Sequence, residues 1–308
     1  MRNKVPRPTR RAKLSALVDY YLDSKMYLRL APSTQKQYYT HLGYACGTPV
    51  QDTKKILGDI SVSKLKRRHL QTCYDTWVDA GVRQANYRMS IISAALSYGV
   101  RSDILDFNPS TGVEKLKTKP RKVRWKREEV LRFLDTAYSD YKWRSIGLII
   151  HMQYTWGQRV GDIRTLTWDM LDLDRGVLDL TQSKRGADVH LPITIDDTGL
   201  LAILVQQKKD LGFQDYVAPM PDPKGGSYRP YPVDRIDGVM NEVKAAAGIP
   251  KHLTAMDIRS TVIVEMVEGG ADAVSIMQAS GHASTTSLTP YLVNTLLGST
   301  QALSKRSK

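Results

Sequence analysis

The run WDMLDLDRGVLDLTQSKRGADVHLPI, from Trp168 to Ile193, decides how the rest of the chain is read. Apolar and polar residues alternate over Trp168–Leu173, Val177–Leu180 and Val189–Ile193, and the breaks fall at Asp174-Arg175-Gly176 and Lys184-Arg185-Gly186. Alternation with period two, interrupted by glycine-containing turns, predicts three short antiparallel strands. Around this block the apolar spacing is helical. Val130, Phe133, Leu134 and Ala137 mark a helix over Glu128–Tyr138, and Ile146, Ile149 and Ile150 mark another over Trp143–Gln153. Helices are also predicted near Leu200–Leu211, Ile236–Ala247 and Ala255–Glu268, with the Pro- and Gly-rich Pro219–Pro232 as an irregular loop. The fold class is therefore mainly α with a small antiparallel sheet.

The first third is helical throughout. Leu14, Leu17, Val18, Tyr21 and Leu22 recur at helical spacing, and Pro32-Ser33 opens a second segment through Tyr38 and Leu42. A third runs from Arg67 through Leu70, Cys73, Tyr74 and Trp77 to Gly81, and a fourth carries Ala85, Met89, Ile92 and Leu96 to Gly99. The organisation expected for the 308 residues is a basic tail over 1–12, a helical domain over 13–107, a linker over 108–122, a second domain over 123–291 and a tail over 292–308. Charge divides along the same line. Residues 1–120 hold 21 Lys and Arg against 9 Asp and Glu, so +12 of the chain's +14 lies there. A basic module of that kind binds a polyanion. The expected contacts are Lys36, Lys64, Lys66, Arg67, Arg68, Arg83 and Arg88 on the bundle, with Lys115, Lys117, Arg121, Lys122 and Arg124 along the linker. No run of eighteen apolar residues occurs, and the basic N-terminus has no apolar stretch behind it, so neither a membrane span nor a secretory signal is read. Cys46 and Cys73 form no CxxC pair, which supports neither a disulfide framework nor structural zinc.

Three short motifs carry the chemistry. In His252-Leu-Thr-Ala-Met-Asp-Ile-Arg259, Thr254 and Asp257 have the spacing of a capping box, and Leu253 and Ile258 that of a hydrophobic staple. A helix starting there places Arg259 among Ile258, Val262 and Ile263, where a guanidinium needs an anionic partner. That partner is either a core carboxylate or a bound anion. Trp156-Gly-Gln-Arg-Val-Gly-Asp162 puts Arg159 after a glycine at another helix start, and Ser280-Gly-His282 is followed nine residues after the histidine by Tyr291.

Arg159, Lys184 in a strand turn, Arg259, a Gly-His at His282 and then Tyr291 form an ordered series that resembles the tyrosine recombinases, the phage integrase family. The likeness spans nearly the whole chain and is of the simple two-domain type, without an evident arm-binding domain. It implies a SAM-like helical core-binding domain and a mixed α/β catalytic domain. It also implies that Tyr291 is the nucleophile, that Arg159, Lys184, Arg259 and His282 are catalytic, and that Asp162 buttresses Arg159. The family's H-x-x-R element reads Met256-Asp-Ile-Arg259 here, so Met256 replaces its histidine, and Ser260 stands where a second histidine is common. Met256 either leaves room for a restored imidazole or fills an apolar gap.

The residue types suit attack on a DNA phosphodiester. Two guanidiniums grip the non-bridging oxygens as charge develops. A tyrosine hydroxyl attacks phosphorus and leaves a 3′-phosphotyrosyl link that conserves the bond for religation. The departing 5′ oxygen takes a proton from Lys184, an ammonium, which the neighbouring Arg185 cannot replace. No cofactor and no metal are called for. The function expected is a cytoplasmic site-specific recombinase or integrase of a phage or mobile element, with no membrane partner. It would act on duplex attachment sites as a homo-tetramer on synapsed DNA, with DNA-bending accessory proteins among the candidate partners and the apolar tail (Val293, Leu296, Leu297, Leu303) docking on a neighbouring protomer. The alternatives are a type IB-like topoisomerase, a catalytically reduced DNA-binding regulator of the same fold, and, least favoured, a metal-dependent nuclease.

Overall fold

Leu14, Leu17, Val18 and Tyr21, spaced three and four apart, form the buried stripe of α1 (Leu14–Leu22). The computed structural model describes residues 5–51, 53–119, 121–184, 186–194, 198–221, 227–291, 299–300 and 303–304. It divides the chain into two units, Met1–Pro120 and Arg121–Lys308. Most of the expected docking tail, 292–308, lies outside the described residues.

In the first unit α1 is followed by α2 (Lys25–Leu28), α3 (Pro32–Gly47), α4 (Arg67–Val78) and α5 (Val82–Arg101). The one-turn α2, too short to show a period in sequence, is opened by Ser24 Oγ accepting from Tyr27 N at 3.2 Å. Leu14, Leu17, Tyr21, Leu42, Leu70, Trp77, Ile92 and Leu96 share one core, in which Trp77 Nε1 donates to Thr48 Oγ1 at 2.9 Å. Arg88 departs from its expected place on the basic face. It lies between Ala85 and Ile92 on the inner stripe of α5 and is only 5% exposed. Its guanidinium carbon sits 3.7 Å from the Tyr44 ring centroid and 5.3 Å from that of Trp77. Burial pulls its pKa down. Lys36, Lys64, Lys66, Arg67, Arg68, Arg83, Lys115 and Lys117 are exposed.

The second unit begins with α6 (Arg127–Ser139), α7 (Arg144–Trp156) and α8 (Val160–Ile163), then β1 (Leu171–Asp172), β2 (Val177–Thr181) and β3 (Asp188–Pro192). There follow α9 (Leu200–Leu211), β4 (Pro219–Pro221), β5 (Tyr228–Pro230), α10 (Val233–Ala246), α11 (Ala255–Glu268), α12 (Ala273–Ser280) and a 3₁₀ turn over Thr285–Tyr291. β1, β2 and β3 form an antiparallel sheet in sequence order, with Leu178 facing Leu191 and Leu180 facing Val189, all four buried. The first strand is shorter than its alternation predicts: Trp168–Met170 is a 3₁₀ turn. At its other end the Asp172 side chain accepts from Arg175 N at 2.8 Å and closes the chain over. The expected irregular loop Pro219–Pro232 contains the antiparallel pair β4–β5, whose prolines sit at strand ends where no ladder N–H is needed. α7, buried along nearly its whole length, packs between α6 and α11. Among the described residues no helix is long and apolar enough to cross a membrane.

Candidate active site

α11 starts where its capping signals place it. Asp257 Oδ2 accepts from both the backbone N and the hydroxyl of Thr254 at 2.8 Å, and Leu253 and Ile258 are buried in the same cluster. The stretch just before α6 straps this helix along its length. Arg121 Nε and Nη2 donate to the two Asp257 oxygens at 2.9 and 2.7 Å. Trp125 donates its backbone N to Thr261 Oγ1 and its indole N to Thr254 O, both at 3.0 Å. Arg124 pairs with Glu268 in the last turn at 3.1 Å. Arg121 and Arg124, expected as DNA contacts, are thus engaged with α11. Burial alone would raise the Asp257 carboxyl, but the Arg121 and Thr254 hydrogen bonds together hold it below its usual range. Met256, one residue before Asp257, is 80% exposed, so the idea that it fills an apolar gap is wrong.

Arg259, one turn into α11, is 8% exposed and is fixed by main-chain oxygens. Its Nη1 donates to Gly157 O at 3.0 Å and its Nη2 to Ser280 O at 2.7 Å. Gly157 ends α7 at φ 62°, in the left-handed region, and leads directly into Gln158 and Arg159. Arg159 Nη1 donates to Gln182 Oε1 at 2.5 Å. Gln182 Nε2 in turn donates to Gln158 Oε1 at 2.6 Å and to Ser280 O at 2.9 Å. The Asp162 carboxylate makes no hydrogen bond to the Arg159 guanidinium but pairs with it at long range, Nη1 to Oδ2 3.9 Å, while Asp162 N donates to Arg159 O at 2.9 Å. Its Oδ1 instead accepts from Ser183 N at 3.0 Å and Ser183 Oγ at 2.5 Å, which anchors the turn carrying Lys184.

Ser280 closes the circle. Its hydroxyl lies 2.5 Å from Ile276 O, which can only accept, and 2.6 Å from His282 Nδ1. The single hydroxyl proton therefore goes to Ile276, and His282 Nδ1 carries a proton and donates to the Ser280 hydroxyl oxygen. The His282 and Tyr291 rings meet edge to face with centroids 5.9 Å apart. Tyr291 also packs on Ile263, Ile276 and Leu288, a small cluster separate from the main core.

Arg159, Asp162, Arg259, His282 and Tyr291 are thus joined through a few intermediates, while Lys184 stands exposed on the β2–β3 turn. Arg185 beside it lies outside the described residues. Sequence reading missed Gln158, Gln182 and Ser280 as members of the constellation. All three lie inside the quoted motifs, but an uncharged amide or hydroxyl gives no signal of its own until its neighbours are known. Among the described residues no group of three or more His, Cys, Asp or Glu is arranged to hold a metal ion.

A sequence profile described as the Phage integrase family matches residues 124–295. No curated protein matches the chain. Among solved structures, a lambda integrase dimer bound to a COC′ core site is 20% identical with a TM-score of 0.73, over 91% of this chain and 77% of that one. A lambda integrase tetramer bound to a Holliday junction is 18% identical with a TM-score of 0.73, over 89% and 79%. The Tn1549 transposon integrase in complex with transposon right end DNA is 14% identical with a TM-score of 0.74, over 96% and 99%.

Proposed function

Starting from the fact that this chain belongs to the phage integrase family, and is a tyrosine-type site-specific recombinase, we propose that Tyr291 attacks the scissile phosphate of duplex DNA. The observation that carries this reading is the Tyr291–His282 ring contact, linked through Ser280 to both Arg259 and Gln182, and through Gln182 to Arg159. Arg159 and Arg259 stabilise the charge that grows on the non-bridging oxygens. His282 Nε2 takes the tyrosine proton. The phosphorus–5′ oxygen bond breaks, Lys184 protonates the leaving oxygen, and a 3′-phosphotyrosyl link and a 5′-hydroxyl result. Attack by a 5′-hydroxyl of the partner strand reverses the step and releases the tyrosine. Lambda integrase is described on a core site and as a tetramer on a Holliday junction. The same substrate class and assembly are proposed here, with the exposed basic residues of the first unit on the phosphate backbone.

The test is a nicked suicide substrate, whose short downstream fragment, bearing the new 5′-hydroxyl, diffuses away after cleavage and leaves the covalent adduct trapped. The wild-type chain is expected to form a 3′-linked adduct that maps to Tyr291 by mass, and Tyr291→Phe to bind DNA normally but form none. An adduct on another tyrosine would overturn the assignment.

A further inference from the structure

We infer that Gln182 is a positioning residue, the uncharged strut that sets Arg159 against Arg259 and His282; the inference rests on the proposed roles of those three. Gln182 is fully buried. Its amide orientation is forced, because Arg159 Nη1 can only donate and Ser280 O can only accept. One side chain therefore ties Arg159 to the carbonyl that also holds Arg259 Nη2, on the residue whose hydroxyl holds His282 Nδ1. Its main chain takes part as well. Gln182 N donates to Ala187 O, and Gly186 N donates to Gln182 O, both at 2.8 Å, which closes the turn bearing Lys184.

The fold keeps space for this strut. Gly281 sits at φ 67°, and a Cβ there would collide with the Gln182 amide. Two independent constraints, a left-handed backbone and a close approach, thus fall on the glycine next to His282.

An amide suits the task for a reason of charge. A carboxylate in its place would neutralise Arg159, and would face Gln158 Oε1 and Ser280 O with no proton to give either. Asp162 pairs with Arg159 only at 3.9 Å, because its Oδ1 is taken up by Ser183 N and Oγ. The amide orients the guanidinium and leaves its charge for the phosphate.

The experiment uses the full chain, the suicide substrate at saturating concentration, DNA affinity and thermal melting. Gln182→Met keeps the volume and removes all three side-chain hydrogen bonds. It is expected to slow adduct formation about ten- to a hundred-fold while DNA affinity stays within roughly twofold. In an Arg159→Lys background the same change should cost less than about threefold, because the group it positions is already gone. A scaffold role alone would make the two losses multiply. Should Gln182→Met lose its cooperative melting transition, Gln182→Glu, which keeps an oxygen on Arg159 but neutralises its charge, is expected to slow adduct formation by that route. A Gln182→Glu chain that cleaves within about threefold of wild type would overturn the inference. A Gln182→Met chain that cleaves within about threefold of wild type, or losses that multiply, would overturn the inference alone. A wild-type chain that forms no Tyr291 adduct would overturn the reading of the site together with it.

Discussion

Met256 stands at the position of the family's H-x-x-R histidine, on the first turn of α11 with its side chain 80% exposed. An exposed thioether packs against little, so replacing it costs little. Met256→His is expected to melt at the wild-type temperature and to form the covalent adduct several-fold faster, the worth of roughly 1 kcal/mol from one new hydrogen bond to the phosphate. A slower enzyme would mean that the site works around methionine. Arg259 is the opposite case, buried and bound through two separate nitrogens to Gly157 O and Ser280 O. A lysine ammonium cannot span both carbonyls and a phosphate. Arg259→Lys should therefore lower cleavage by orders of magnitude with DNA affinity little changed, and equal losses in both would mark a docking arginine. The order Arg159, Lys184, Arg259, His282, Tyr291 was legible because charged and nucleophilic residues at fixed spacing are conspicuous. Arg88 was misread because charge alone was counted. Its place between Ala85 and Ile92 puts it on the apolar stripe, where a planar guanidinium stacks beneath Tyr44.

At the scale of elements, α11 depends on what happens at its first turn. Asp257 serves Thr254 and Arg121 at once, so Asp257→Ala removes an N-terminal cap and a strap together. A loss of about 1–2 kcal/mol in denaturant unfolding is expected at neutral pH. The sign with pH follows from the lowered carboxyl. A carboxylate that ionises more readily folded than unfolded stabilises fully above its unfolded value, near 3.9 for aspartate in model peptides. That stabilisation is lost as pH falls through the lower folded value, so the gap between wild type and variant should narrow below about pH 4. The cap itself was legible in Thr254-x-x-Asp257. The β4–β5 pair was not, because Pro219, Pro221 and Pro230 read as loop residues until a partner strand shows that they sit at strand ends. α12 had a start signal in Asp272, which accepts from Val274 N and Ser275 N, but exposed Val274 blurs the apolar spacing behind it.

For the whole molecule, the uneven charge makes a separable prediction. Residues 1–120 contain a core of their own, from Leu14 to Val113, and +12 of the net charge. Expressed alone, they should bind duplex DNA weakly, with affinity falling steeply as salt rises through counterion release. Affinity independent of salt, measured by titration at 50 and 200 mM, would remove the first unit from the DNA contact. Charge and helical period together made two units legible, but not where the first ends. Of the expected linker over 108–122, the N-terminal part is docked: Val113 is buried in the first core, Glu114 N donates to Gln71 Oε1, and Leu116 N donates to the Tyr74 hydroxyl, both at 2.8 Å. From Arg121 onward the chain is already strapped to α11. Among the described residues, 117–119 lie between these two sets of contacts. That narrow seam fixes where a graft can be made. A chimera that exchanges the first unit to retarget the enzyme must cross over there. A junction upstream strips the plug from the incoming core, and one downstream releases the helix that holds Arg259.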